Sequence, residues 1–323
     1  MNKIIPVYFS CDDRFLKFTS VAVESMIMNA NKDYTYRVYI LHSDITDENQ
    51  AIMYNHFNKY NNMELYFVNV SDYLKSINDL LPVRDYYSKT TYYRLLIAKM
   101  FTEYDKTIYL DSDMIIKGDI SKLYEMELGN NLVGAAHEQA MVQTDAYGDY
   151  VEKNLDISRY QFFNAGMLLI NSKLWRDEEV FEKFMYLLNI YTFKVTQDED
   201  YLNVICKDRV LFVGDNWNTE SFLNKEISDE DINIIHYIMW AKPWHFTEVR
   251  YNEFFWKYAK LSPYYNEIQS ISDNYTDKQK KKDLQASERL YKLALKEAKR
   301  EDTFRRILET DLNINLFLER TVS

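Results

Sequence analysis

Along its first half the chain alternates short apolar runs with segments whose apolar residues recur at helical spacing. Residues 4–11 and 35–42 read as strands, and 15–29 between them carries helical spacing through Val21, Ser25 and Met28. Thr46, followed by Asp47 and Glu48 where a first turn would lie, opens a second helix, and residues 64–70 read as a third strand. Residues 90–101 read as a helix leading into the β-type run from Thr107 to Asp113, followed by a short helix at 119–127 and a strand at 132–138. This alternation predicts an α/β fold, a parallel sheet with helices on both faces. Ligands of open α/β sheets bind beyond the carboxyl ends of the strands, and Asp12, Asp13, Asp111 and Asp113 all fall at such ends.

After about residue 250 the character changes. Residues 277–308 read as one long helix rich in cations, among them Lys278, Lys280, Lys281, Lys282, Arg289, Lys292 and Lys296, with apolar positions only partly on one stripe. Two regions are therefore expected: a main domain over residues 1–250 and a helical extension over 251–323. The extension reads as a solvated appendage packed on the main domain, with a membrane surface or a protein partner as the alternatives.

Composition narrows the classes. A chain of 323 residues, 47% of them hydrophobic, can bury a substantial core. A formal charge of −11 argues against a general nucleic-acid binder, because phosphate contacts need clustered cations. Two cysteines, Cys11 and Cys206, make no disulfide framework and suit a reducing compartment. No apolar run reaches spanning length, and the first ten residues, with Pro6 among them, do not form a secretory apolar stretch. Cytoplasmic location is the expectation, with attachment at the inner membrane face through the basic helix as its variant. With only six glycines there is no G-x-G-x-x-G turn and no G-x-x-x-x-G-K-[ST] loop, and G-x-S-x-G is also missing.

The candidate chemistry begins where Thr107-Ile108-Tyr109-Leu110 stops on Asp111 and Asp113. Alternate residues of a strand share a face, and a bend at the strand end lets both carboxylates close on one cation. Hard oxygen ligands suit Mg²⁺ or Mn²⁺. Far downstream, Ile234-Ile235-His236 adds an imidazole, with Lys242 six residues on. Asp, Asp and His together form a plausible metal set open to diphosphate oxygens, and Lys242 would offset the remaining charge.

These blocks resemble the retaining family 8 glycosyltransferases, which include bacterial lipopolysaccharide galactosyltransferases and glycogenin. The resemblance covers about the first 250 residues: Val7-Tyr8-Phe9-Ser10-Cys11-Asp12-Asp13, Thr90 to Leu95, Tyr109 to Asp113, Phe163-Asn164-Ala165-Gly166 running into Leu168 to Asn171, Gln197 to Asn203, and His236 to Trp244. It implies a GT-A nucleotide-sugar fold with a mostly parallel central sheet. It implies that Asp12 and Asp13, with the backbone near Phe9 and Ser10, recognise uracil and ribose, and that Arg94 reaches the nucleotide or the donor sugar. Asp111, Asp113 and His236 would hold Mn²⁺ on the diphosphate beside Ser112, with Lys242 on its outer oxygens. Asn164, Ala165, Asp198 and Glu138 would line the sugar pocket.

Two positions depart from the family pattern. Glu199 stands where the lipopolysaccharide enzymes carry an amide, and Met239 stands where the His-x-x-Gly-x-x-Lys-Pro-Trp pattern has glycine. Retention requires front-face attack or a covalent intermediate on a carboxylate, for which Asp198 and Glu199 are the candidates. The reading is a metal-dependent retaining transferase moving glucose or galactose from a UDP-sugar to a glycan, glycoprotein or glycolipid. The alternatives are a Mg²⁺-dependent phosphatase of the haloacid-dehalogenase type, whose D-x-D also ends an apolar strand, and a silent nucleotide-sugar-binding module.

Overall fold

The computed structural model describes residues 3–75, 81, 88–221 and 227–319. A seven-stranded sheet in the order β3-β2-β1-β4-β7-β6-β8 forms the centre. Its strands are β1 (Lys3–Ser10), β2 (Tyr34–His42), β3 (Met63–Asn69), β4 (Thr107–Leu110), β6 (Val133–Ala135), β7 (Met167–Ile170) and β8 (Val210–Phe212). β1 to β4 run parallel, β7 is antiparallel to both β4 and β6, and β8 is parallel to β6. A small second sheet sets β10 (Ile234–His236) between β5 (Met114–Ile116), to which it is antiparallel, and β9 (Thr219–Glu220), to which it is parallel.

The pleat divides the core. On β1, Ile5, Val7 and Phe9 bury into one apolar cluster while Tyr8 enters the other, as the period of two requires. Each such side chain contributes about 1.5–3 kcal/mol on burial. Helix α1 (Leu16–Asn29) covers one face, and α2 (Asp47–Phe57) begins at Thr46, whose hydroxyl accepts the Asn49 N–H.

Three expected elements take a different form. The segment 90–101 is a 3₁₀ helix over Lys89–Leu96 followed by one α-turn, Ile97–Met100. The β-branched and aromatic run Thr90–Tyr93 has low α-propensity, which fits the tighter form. The strand expected over 107–113 stops at Leu110, so Asp111 and Asp113 sit on the bend between β4 and β5. The single helix expected over 277–308 is two: Asp277–Glu297, opened by a Thr276/Gln279 capping box, and Phe304–Thr310, capped by Thr303. Buried Asn154 spans the break, donating to the Glu297 carbonyl at 3.2 Å and accepting the Phe304 N–H at 3.3 Å, so the exposed helix ends have partners.

Residues beyond 250 complete both clusters. Tyr251, Phe255, Tyr258, Tyr264 and Ile268 pack with α1 in one, and Leu290, Ala294 and Phe304 enter the other. Among the described residues no helix is long and apolar enough to cross a membrane.

Candidate active site

At the carboxyl ends of β1 and β4 lies a cavity of about 410 Å³. Its polar lining includes Ser10, Asp12, Arg94, Asp111, Ser112, Asp113, His236 and Lys242. Its apolar lining includes Met141, Tyr147, Val195, Ile238, Met239 and Leu290. Glu138, Asn164, Asp198 and Glu199 lie on the same lining.

The bend after β4 is held at both ends by backbone bonds. Asp111 N–H donates to the Gly166 carbonyl at 2.7 Å, and Tyr237 N–H donates to the Asp113 carbonyl at 3.0 Å. β10 thereby brings His236 Nε2 to 3.3 Å from Asp113 Oδ1 and 3.8 Å from Asp111 Oδ2. One ligand atom from each of Asp111, Asp113 and His236 lies within 4.8 Å of the other two. Two carboxylates and one imidazole suit Mn²⁺ or Mg²⁺. Gly166 makes room for the set: a Cβ there would lie 2.8 Å from Asp111 Oδ2, and closer still to the His236 ring. Lys242 Nζ donates to Asp113 Oδ2 and to the Tyr237 carbonyl. Burial alone would raise the Asp113 carboxyl, but the neighbouring charges, Lys242 foremost, outweigh it and hold the group well below the usual carboxylate range.

Arg94 works from behind. It is buried, its Nε lies 3.0 Å from Asp198 Oδ2, its Nη2 lies 3.5 Å from Asp111 Oδ1, and Nη1 donates to the Ala165 carbonyl. Its guanidinium rests 4.5 Å from the Tyr109 ring centroid. Burial opposes its charge, yet Asp198, Tyr109 and Asp111 keep it cationic. Asp198 is raised by burial despite this partner, and it opens the helix Asp198–Ile205 without serving as its cap.

Glu199 accepts the Ala165 N–H at 2.8 Å. Burial and the neighbouring Glu138 charge push its carboxyl well above the ordinary range. Glu138 accepts the Ala140 N–H at 3.0 Å and a bond from Asn164 Nδ2.

Three expected contacts lie outside the cavity lining. Phe9 buries its ring in the core, as the alternation of β1 dictates. Asp13 is used to hold the start of α2, accepting from Thr46 N–H at 3.0 Å and Asn49 Nδ2 at 2.8 Å. Ala165 offers its backbone to Glu199 and Arg94 and is buried. Asp12 does reach the cavity, though its carboxylate also accepts the Phe15 N–H at 2.8 Å and pairs with Arg14. Met239 adopts φ 51°, the left-handed backbone that glycine favours, so the loop keeps the shape a glycine would give it.

Sequence reasoning passed over Ser88, Thr90, Thr91, Tyr147 and Leu290 on the lining, and Asn218 and Glu220 behind it. Glu220 ends a two-residue strand and Asn218 precedes it, too short a run for any periodic signal.

The family description "Glycosyl transferase family 8" matches residues 6–248. The lipopolysaccharide 1,3-galactosyltransferase of Salmonella typhimurium is 26% identical over 74% of this chain and 72% of its own length. The lipopolysaccharide 1,2-glucosyltransferase of Escherichia coli is 26% identical over 76% of this chain and 74% of its own. Among solved structures, the galactosyltransferase LgtC in complex with donor and acceptor sugar analogs superposes with a TM-score of 0.64 at 25% identity, over 84% of this chain and 96% of that one.

Proposed function

The chain belongs to glycosyltransferase family 8, and on that premise we propose that it transfers glucose or galactose, with retention, from a UDP-sugar to a glycan, glycoprotein or glycolipid acceptor. The observation that carries this reading is the convergence of Asp111, Asp113, His236 and Lys242 on one cavity at the strand ends. A divalent cation held by Asp111, Asp113 and His236 would supply Lewis-acid stabilisation of the diphosphate.

Lys242, held beside the cation site by Asp113 and the Tyr237 carbonyl, adds an ammonium charge to the leaving diphosphate. Ser10, Asp12 and Ser112 are at hand for the nucleoside, while Glu138, Asn164, Asp198 and Glu199 offer polar contacts to the hexose. The apolar lining from Met141 to Leu290 receives the acceptor, and its Tyr147 and Leu290 suit the C–H face of a sugar or an apolar aglycone. Arg94, engaged with Asp111, Asp198 and Ala165, sets the positions of those carboxylates rather than binding substrate itself.

Front-face attack is favoured over a covalent intermediate. Asp198 is pinned to Arg94, and Glu199, whose carboxyl burial and the Glu138 charge push upward, is committed to the Ala165 N–H and is a poor nucleophile. The test is a panel of UDP-sugars with Mn²⁺, scoring UDP release with and without chelator, alongside Asp111→Asn. Release from one sugar, abolished by chelator and cut at least about 10²-fold in the variant, is the expected result. Phosphate release from a phosphomonoester, or binding of UDP-sugar with no turnover, would replace the reading.

A further inference from the structure

A chain of buried amides runs from His236 through Asn218 to Asn164 and Glu138, and its direction follows from a single backbone group. Asn164 Oδ1 accepts the Gly166 N–H at 2.9 Å. A peptide N–H can only donate, so this atom is the amide oxygen, and Asn164 Nδ2 faces the Glu138 carboxylate. Asn218 meets that same oxygen at 2.8 Å and must present its own Nδ2 there. Its Oδ1 is then the atom 3.0 Å from His236 Nδ1. An amide oxygen can only accept, so Nδ1 carries the imidazole hydrogen and the lone pair lies on Nε2, the nitrogen facing Asp111 and Asp113.

The far end is anchored as firmly. Glu138 accepts at both oxygens, from Ala140 N–H and from Asn164. Glu220 Oε1 accepts the N–H of Gln139, the next residue along, at 3.2 Å, and its buried Oε2 meets no donor among the described residues. Asn164, Asn218, Glu138, Glu220 and His236 are all at least 95% buried, so water does not compete for these bonds.

We infer that Asn218 is a positioning residue: through a one-way amide chain anchored on Glu138, it fixes His236 as the Nδ1–H tautomer and points Nε2 at the cation site. The inference rests on the metal reading given under Proposed function. A metal-bound histidine commonly has its second nitrogen fixed in this way, and loss of such a partner costs about 10–100-fold in metal affinity.

The test uses the full chain with Mn²⁺ alone, without donor. Affinity is measured by electron paramagnetic resonance titration for the wild type, Asn218→Ala and Asn218→Asp, and the His236 tautomer is read from imidazole ¹⁵N shifts in the metal-free protein. Asn218→Ala should lose about 10-fold or more in Mn²⁺ affinity. Asn218→Asp, which retains an acceptor for Nδ1, should keep wild-type affinity or better while melting at a lower temperature through loss of its bond to Asn164. An Nε2–H tautomer in the wild type overturns the inference, as does an Asn218→Ala protein that melts lower but binds Mn²⁺ unchanged. If the wild type binds no Mn²⁺, the metal reading fails, and the ¹⁵N signature still decides whether Asn218 sets the tautomer.

Discussion

Replacing Met239 by glycine sets three opposing effects against one another. At φ 51° the left-handed backbone costs a non-glycine residue about 1–2 kcal/mol, which glycine relieves. Against this, glycine gives the unfolded chain extra freedom, worth about 0.5–1 kcal/mol. Met239 is half-buried against the apolar cluster, so removing its side chain forfeits about 1 kcal/mol, roughly half of the full-burial value. The expected sum lies within about 1 kcal/mol of zero, and because the loop keeps its shape, UDP release should persist. Met239→Val is the informative contrast. It remains apolar, but a β-branched residue strongly disfavours this backbone, so it should destabilise by about 2 kcal/mol or more, from the strain of that conformation plus lost packing. Urea unfolding and the UDP-release assay read both variants. Complete loss of activity in Met239→Gly, or a Met239→Val protein as stable and active as the wild type, would refute the reasoning.

Lys242→Ala should lower kcat by about 10² or more with a smaller change in donor affinity, because its charge serves the departing diphosphate; a pure affinity loss would make it a binding residue only. Glu199→Gln should retain most activity, since an amide oxygen can also accept the Ala165 N–H, whereas Asp198→Asn should lose it by leaving buried Arg94 short of a counter-charge; a glycosyl adduct on Glu199 in mass spectra would reverse the preference for front-face attack. Burial lifts the Asp200 carboxyl from 3.8 to about 6, against bonds from Thr196 and Tyr150. A folded value above the unfolded one means that this contribution to stability is fully present below pH 3.8 and is lost as pH rises through about 6. A carboxyl ¹³C titration of Asp200 with its midpoint below 4 would contradict this.

The first three strands, α1, α2 and the Thr46 cap were legible because each depends on local spacing that water enforces on one face. So was the acidic bend, since a strand ending on two carboxylates is written in seven consecutive residues. The reversal of β7 was not, because a four-residue apolar strand carries no mark of its direction. The break in the basic helix is marked locally only by the Thr303 cap, and the Asn154 that bridges it lies more than a hundred residues earlier. The site divides in the same way. Residues adjoining strand ends were found, and the resemblance also carried Asp13 and the backbone near Phe9 to the nucleotide; the start of α2 holds the Asp13 side chain, and the pleat of β1 turns the Phe9 ring into the core. Asn218, Glu220 and Leu290 were invisible because what brings them to the site is tertiary packing.

Leu290 stands on the cavity wall although it lies more than forty residues past the last position of the family match. On the proposed reading, in which the apolar lining receives the acceptor, part of the acceptor's wall comes from outside the region that the family match spans. Residues just past that region also hold α1 in the core, so a tail exchanged with a relative's must keep Tyr251 to Ile268 and differ only farther on. Such a chimaera should then keep its sugar donor while its choice of recipient is open to change.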